Sequence, residues 1–212
     1  KQWGLVTQSK GNSHMTAITV AITTVNDLPS FVEGSSRTIP TVLDMGCLHT
    51  QMIQVNMGGD AAGTVGVSFE WETMDQAFEG SKAINQNEQI LQVMGDCGVT
   101  LHRRSILSVM GEMGERSGSY LSCVYTSGIP NADGMDTGWD IMKEGANGLM
   151  GCAAVANGVA PWTGCIFSWT DSVDSLMAAS AKAWSSSQMQ ATQAKYGTRP
   201  EGRVIGTILA SS

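Results

Sequence analysis

Apolar and polar positions alternate along much of the chain, in a pattern that runs through the same order of elements twice. Residues 16–25, "TAITVAITTV", set Ile18, Val20 and Ile22 against Thr19, Ala21 and Thr23, as a half-buried strand does. Asn26, Asp27 and Pro29 then mark a helix start, and the stretch to about Met45 predicts a helix weakened by Gly34 and Pro40. Residues 47–57 and 64–71 predict two further strands, joined by a turn at Gly58-Gly59-Asp60. Thr73 and Gln76 have capping-box spacing for a second helix reaching about Gly95, and residues 100–111 predict a fourth strand. The second pass predicts strands at 119–126, 148–156, 163–169 and 202–210, with helices at about 133–147 and 172–195. Gly197 is placed to close the last of these helices.

The two passes also share residues. Gly66, Phe69 and Trp71 match Gly164, Phe167 and Trp169 at an offset of 98. Asp75 matches Asp174, and Gly98, Arg104, Ile106, Val109 and Met110 match Gly197, Arg203, Ile205, Ile208 and Leu209, all at 99. The change of offset implies an inserted residue where the third strand meets its helix. The order β-α-β-β-α-β, twice, is the split βαβ arrangement of ferredoxin-like folds. One such sheet covers a single face with its own helices and must bury the other. The expected fold class is therefore α+β: two tandem ferredoxin-like units whose antiparallel sheets pack into an intrachain barrel. The expected division is 15–111 and 119–212 for the two repeats, with a linker at 112–118. Residues 1–14 contain "GLVTQSKGNSHM", which reads as a thrombin-site-like leader ending in a cloning scar, so His14 is no site candidate.

Composition narrows the function classes. The net charge is −7 and the 12 Lys and Arg are scattered, with His102, Arg103 and Arg104 the densest basic group. That argues against nucleic acid and against an anionic membrane surface as partners. No apolar run has the length of a membrane span, and 149–162 is interrupted by Gly151, Asn157, Gly158 and Pro161. No secretory leader is visible, and the five cysteines form no C-x-x-C pair. These features predict buried, reduced thiols and a cytoplasmic location.

Several residues are candidate ligand contacts, each with a packing alternative. Trp71 and Trp169 end the third strands and either stack on a ligand or pack a helix onto the sheet. Arg104 and Arg203 occupy matching places on the fourth strands; inside a barrel they would need an anion, at its mouth they would be solvated. Arg103 points opposite to Arg104. His49, His102 and Tyr125 lie on strands and could hydrogen-bond a ligand or simply pack. No set of ligands at metal-binding spacing, no nucleophile elbow and no phosphate loop is present. Thirteen methionines suit an adaptable core or a pliable apolar cavity.

The stretch "FEWETMDQAF" resembles the third strand and following helix of the dimeric α+β barrel superfamily, in which a Trp ends the strand and "x-A-F" opens the helix. This superfamily includes antibiotic-biosynthesis-type monooxygenases, stress-responsive barrel proteins and NIPSNAP-like proteins. Residue-level similarity is confined to Trp71, Ala77 and Phe78; the second copy has Ser175 and Leu176 in the last two places. The haem-degrading branch combines this Trp with an Asn on the first strand and a His on the helix. Here the helix reads "KAINQNEQI" without His, and the strand body lacks Asn, so the resemblance implies no cofactor. The cofactor-free branch stabilises a substrate anion, for which Arg104, Arg203, Trp71 and Trp169 would serve. Three readings follow: a binder of a small, mainly apolar or aromatic ligand in or between the sheets, a cofactor-independent monooxygenase-like enzyme, or an interaction protein with a filled barrel. A joined chain can complete a barrel alone, so the expected assembly is a folded monomer or a homodimer of barrels through the Ala- and Ser-rich face of 172–195.

Overall fold

A computed structural model describes residues 16–212; the leader assigned to 1–14 lies outside the described residues. The elements run β1 (Ala17–Thr24), α1 (Leu28–Asp44), β2 (His49–Met57), β3 (Val65–Trp71), α2 (Met74–Ile84), α3 (Glu88–Asp96), β4 (Thr100–Gly114). The second half follows with β5 (Tyr120–Ser127), α4 (Met135–Met142), β6 (Gly148–Ala156), β7 (Gly164–Thr170), α5 (Val173–Ser185), α6 (Ser187–Tyr196) and β8 (Arg199–Ser211). All eight strands pair antiparallel in a closed barrel of order β1-β3-β2-β8-β5-β7-β6-β4. Each half supplies a four-stranded sheet, β4-β1-β3-β2 and β8-β5-β7-β6, and the seams are β2–β8 and β4–β6. This is the tandem ferredoxin-like α+β barrel expected from the repeated element order.

Alternate residues on each strand face the lumen or the helices. The lumen core gathers Ile18, Val55, Leu107, Leu121, Cys123, Met150, Cys165 and Trp169. Outside it, Val42, Trp71, Ala77, Ile84 and Ile90 pack the first half's helices onto its sheet. Met142, Leu176, Ala179 and Ala183 join α4 to α5 in the second half.

Helix boundaries differ from the sequence expectation where polar caps intervene. The helix predicted to reach Gly95 splits into α2 and α3, because the Asn87 side chain accepts from the Ile90 N–H (3.1 Å) and starts a new helix. The long helix predicted at 172–195 breaks at Ser186, whose extended backbone ends α5 and begins α6. α1, by contrast, runs through Pro40 unbroken. Pro40 is exposed, so the carbonyl it leaves without a donor can bond water. Gly197 caps α6 in the left-handed region, φ 64°, as expected. β4 extends through Gly114 into the stretch assigned to a linker.

Candidate functional site

Strand register decides which predicted residues can share a site. Ala17 pairs with Trp71 and Ser108, just as Tyr120 pairs with Thr170 and Thr207. The structural counterpart of Trp71 is therefore Thr170, one residue beyond the Trp169 of the sequence match. A one-residue slip reverses the face of every side chain. Val65, Phe69 and Trp71 face the helices in the first half, where the second half has Gly164, Ser168 and Thr170. Gly66, Ser68 and Glu70 face the lumen, where the second half has Cys165, Phe167 and Trp169. The shared motif thus turns its aromatic bulk outward in one copy and inward in the other.

Trp71 is consequently a packing residue. It is fully buried under α2, its indole N–H donates to Thr19 Oγ1 (3.2 Å), and the bare backbone of Gly80 lies against its ring. Trp169 lies in the lumen and donates to Gln51 Oε1 (3.0 Å). Arg104 and Arg203 are structural counterparts, as the sequence match predicts, and both face helices rather than the lumen. Arg104 is exposed and donates to Asn85 Oδ1 (3.1 Å). His102 is exposed beside Thr24 (3.0 Å). His49 sits half-buried at one end of the lumen, 3.0 Å from Ser211 Oγ. Burial, reinforced by the Arg116 charge, pushes its pKa below the usual imidazole value.

The slip leaves its largest trace beneath the helices of the second half. With Gly164 and Ser168 in place of valine and phenylalanine, a crevice of about 150 Å³ opens between β5–β8 and α4, α5 and α6. The corresponding space in the first half is about 90 Å³. The crevice is walled by Met110, Met135, Met142, Met189, Ile166 and Trp184, with Gly138 and Gly151 contributing no side chain. Arg203 enters it half-buried from β8. Its guanidinium donates to Ser180 Oγ (2.6 Å) and to Met177 Sδ (2.7 Å), and among the described residues no carboxylate pairs with it. Burial lowers its pKa from the usual guanidinium range, the sign of a cation short of compensation. The Ser127 hydroxyl, also on the crevice wall, is buried without a partner. Asp133 at the rim is engaged by Lys195 (2.9 Å) and Tyr196. The arrangement supplies a cation, a free hydroxyl and a soft apolar wall to whatever enters.

The lumen is the second concavity, about 90 Å³. One end is closed by Arg116, which forms two-pronged pairs with Glu70 and Glu112. Burial works against that guanidinium's charge, but the hydrogen bonds to Glu112 and Glu70 outweigh it and raise its pKa. At the other end Arg103 lies over Tyr125 and Trp162, 5.8 and 5.7 Å from the ring centres, and donates to Tyr125 Oη (3.3 Å). Burial, with Cys123 adding to it and Arg103 opposing, pushes the Tyr125 pKa up to about 12. Sequence reasoning missed Gln51, Ser105 and Trp162 here. Gln51 and Ser105 looked like ordinary polar positions in strands; the signal that could have found them is their period-two registry with Ile53 and Leu107, which face the core. Among the described residues no three His, Cys, Asp or Glu side chains are grouped to hold a metal ion.

Comparison with solved structures places the fold. A protein of Fusobacterium nucleatum described as a putative monooxygenase is similar over 95% of each chain, with a TM-score of 0.58 and 11% identity. An anthrone oxidase-like protein is similar over 92% of each chain, with TM-score 0.54 and 13% identity. A mutant chlorite dismutase from Candidatus Nitrospira defluvii has TM-score 0.54 and 9% identity, over 93% of this chain and 92% of its own. No family model matches the sequence, and no curated protein does. The likeness is one of fold: an α+β barrel of two ferredoxin-like halves, both contained in this one chain. Among the described residues no helix is long and apolar enough to cross a membrane.

Proposed function

We propose that this protein binds a small, mainly apolar organic molecule bearing an anionic oxygen, in the crevice between α4–α6 and the second sheet. Arg203 is its counter-cation and the Ser127 hydroxyl a further contact. The observation that carries this reading is a half-buried guanidinium in a mainly apolar crevice, with which no carboxylate pairs among the described residues; Asp133 at the rim is engaged by Lys195 and Tyr196 instead. A buried cation is costly unless an anion compensates it, and a ligand carboxylate or enolate meets that need. The crevice volume is of the order of the roughly 150 Å³ that accommodates benzene in an apolar cavity. Calorimetric titration with benzoate and with benzamide, which share a shape and differ in charge, tests the reading. Benzoate is expected to bind at least about tenfold more tightly, a preference abolished by Arg203→Gln. Equal binding of the two, or an unchanged preference in the variant, contradicts it.

A second reading is a cofactor-independent oxygenase, favoured by the names of the structural neighbours and by the same cation. A guanidinium that holds a resting anion also stabilises the carbanion left when solvent water takes the proton of an acidic C–H bond, ahead of reaction with dioxygen. Oxygen uptake with anthrone, lost in Arg203→Gln at unchanged folding, would support it; uptake at the buffer rate would set it aside.

A further inference from the structure

The two walls of the lumen differ in chemistry. The first half presents His49, Gln51, Ser68, Glu70, Arg103 and Ser105; the structural counterparts in the second half are Gly148, Met150, Phe167, Trp169, Gly202 and Val204. These polar groups stand among apolar neighbours such as Ile18, Val20, Ile53 and Leu107, and a barrel that only needed filling would have no use for them on one wall.

Two of the polar groups lack partners. The Gln51 Nε2 and the Ser105 Oγ are buried, each residue 4% exposed, and neither has a hydrogen bond. The Gln51 amide has a determined orientation: an indole N–H can only donate, so the Trp169 bond fixes Oε1 as acceptor and leaves both Nε2 hydrogens unused. Ser68 and Ser105 both pair with Val20, on either side of it, and Gln51 pairs with Ser68, so the two orphans occupy one layer of the lumen. Orphaned buried groups of this kind are rare and expensive. Two residues from Ser105 on the same strand face, Arg103 stands at the mouth, clamped between Tyr125 and Trp162. Among the described residues it too has no carboxylate partner. A tyrosine kept protonated well above neutral pH still has a proton to donate beside it.

We infer that the lumen is a separate ligand site, for a short-chain carboxylic acid carrying a second oxygen further along its chain. The carboxylate meets Arg103 and Tyr125 at the mouth, and the second oxygen accepts from Gln51 and Ser105 within. The chain between them lies on Phe167, Leu107 and Val20. Everything unused on the polar wall can donate, which selects an acceptor-rich ligand. The layer spacing along β4, about 7 Å for two residues, separates the two oxygen functions by several bonds. A volume of about 90 Å³, smaller than the roughly 150 Å³ benzene cavity, limits the buried part to a few atoms. This inference does not depend on the crevice, which lies on the other face of the same sheet.

Levulinate, a four-oxo acid, is the probe, with pentanoate and 2-pentanone as controls lacking one oxygen function each. Titration of the full chain is followed by the amide shifts of β1, β4 and β5. Levulinate is expected to saturate at millimolar concentration, and each control to bind about tenfold more weakly or worse. Arg103→Gln is expected to erase the advantage over 2-pentanone, and Ser105→Val the advantage over pentanoate. Ser105→Val separates binding from structure, because removing an unsatisfied buried hydroxyl raises the melting temperature while binding falls. Equal affinity for all three molecules, binding unaltered in Ser105→Val, or no saturation with only ordered water against Gln51 and Ser105 would each overturn the inference.

Discussion

Trp71 and Gly80 show how one residue's chemistry depends on the face it occupies. A Cβ built on Gly80 would lie 2.0 Å from the Trp71 ring. Gly→Ala inside a helix ordinarily stabilises by about 0.5–1 kcal/mol. Here the sign reverses, because the ring is fully buried and cannot retreat: Gly80→Ala is expected to cost about 1–3 kcal/mol in urea unfolding. A neutral or stabilising result would mean that α2 does not sit on Trp71 as described. His49 offers a second residue-scale prediction. Its pKa is lowered in the folded protein by burial and Arg116, so the unfolded chain takes up this proton first as pH falls below about 6.5. Stability is therefore expected to decline from about pH 6.5 downward, until the folded imidazole also protonates, and His49→Gln should flatten that part of the profile. An identical slope in the variant would assign the effect elsewhere. The side-chain alternation that placed His49, Trp71 and Arg104 on strands was legible in the sequence. Which face each occupied was not, because a match of Gly, Phe and Trp at one offset cannot reveal that the backbone register differs from it by one residue.

At the scale of elements, strands were more legible than helices. The order of elements along each half followed from alternation and turns, and six of the predicted strand cores needed only a residue or two of adjustment, while β4 and β8 proved longer. Helix ends depended on single caps. Asn87 starts a helix inside the polar run 85–89, and because Ile84 and Leu91 still fall seven residues apart, periodicity alone joined α2 to α3. α6 is the least anchored helix: none of its residues is buried, whereas α5 buries Leu176, Ala179, Ser180 and Ala183. Met189, Thr192 and Gln193 on α6 nevertheless line the crevice. Amide hydrogens of α6 are expected to exchange well before those of α5, and to slow when benzoate is bound. Equal protection of the two helices, or no change with ligand, would show that α6 is not the movable wall. The crevice itself was not legible, since it arises from Gly164 and Ser168 standing where the first half has Val65 and Phe69, a comparison that needs the true register.

At the scale of the whole molecule, the covalent joining of the two sheets makes one barrel with two intrachain seams. β2–β8 and β4–β6 tie the first half to the second, and Arg116 adds ion pairs that reach back to Glu70 on β3. Neither sheet is covered on its inner face without the other, so the halves are expected to unfold in a single transition whose midpoint does not depend on protein concentration. Two transitions, or a midpoint that falls on dilution, would show that the barrel needs a second chain. Duplication followed by divergence would account for the asymmetry: the same fold twice, with its bulk turned inward in the second half, leaving a roomy crevice with an unpaired arginine outside the sheet.

Native mass spectrometry shows whether the crevice holds a small molecule on Arg203. The purified chain and its Arg203→Gln variant would be weighed under native conditions, before and after incubation with benzoate, and again after denaturation. Each chain is expected to carry a small-molecule mass that disappears on denaturation and is absent from the variant. A bare mass for the unaltered chain under every condition, or the same adduct on both proteins, would contradict it.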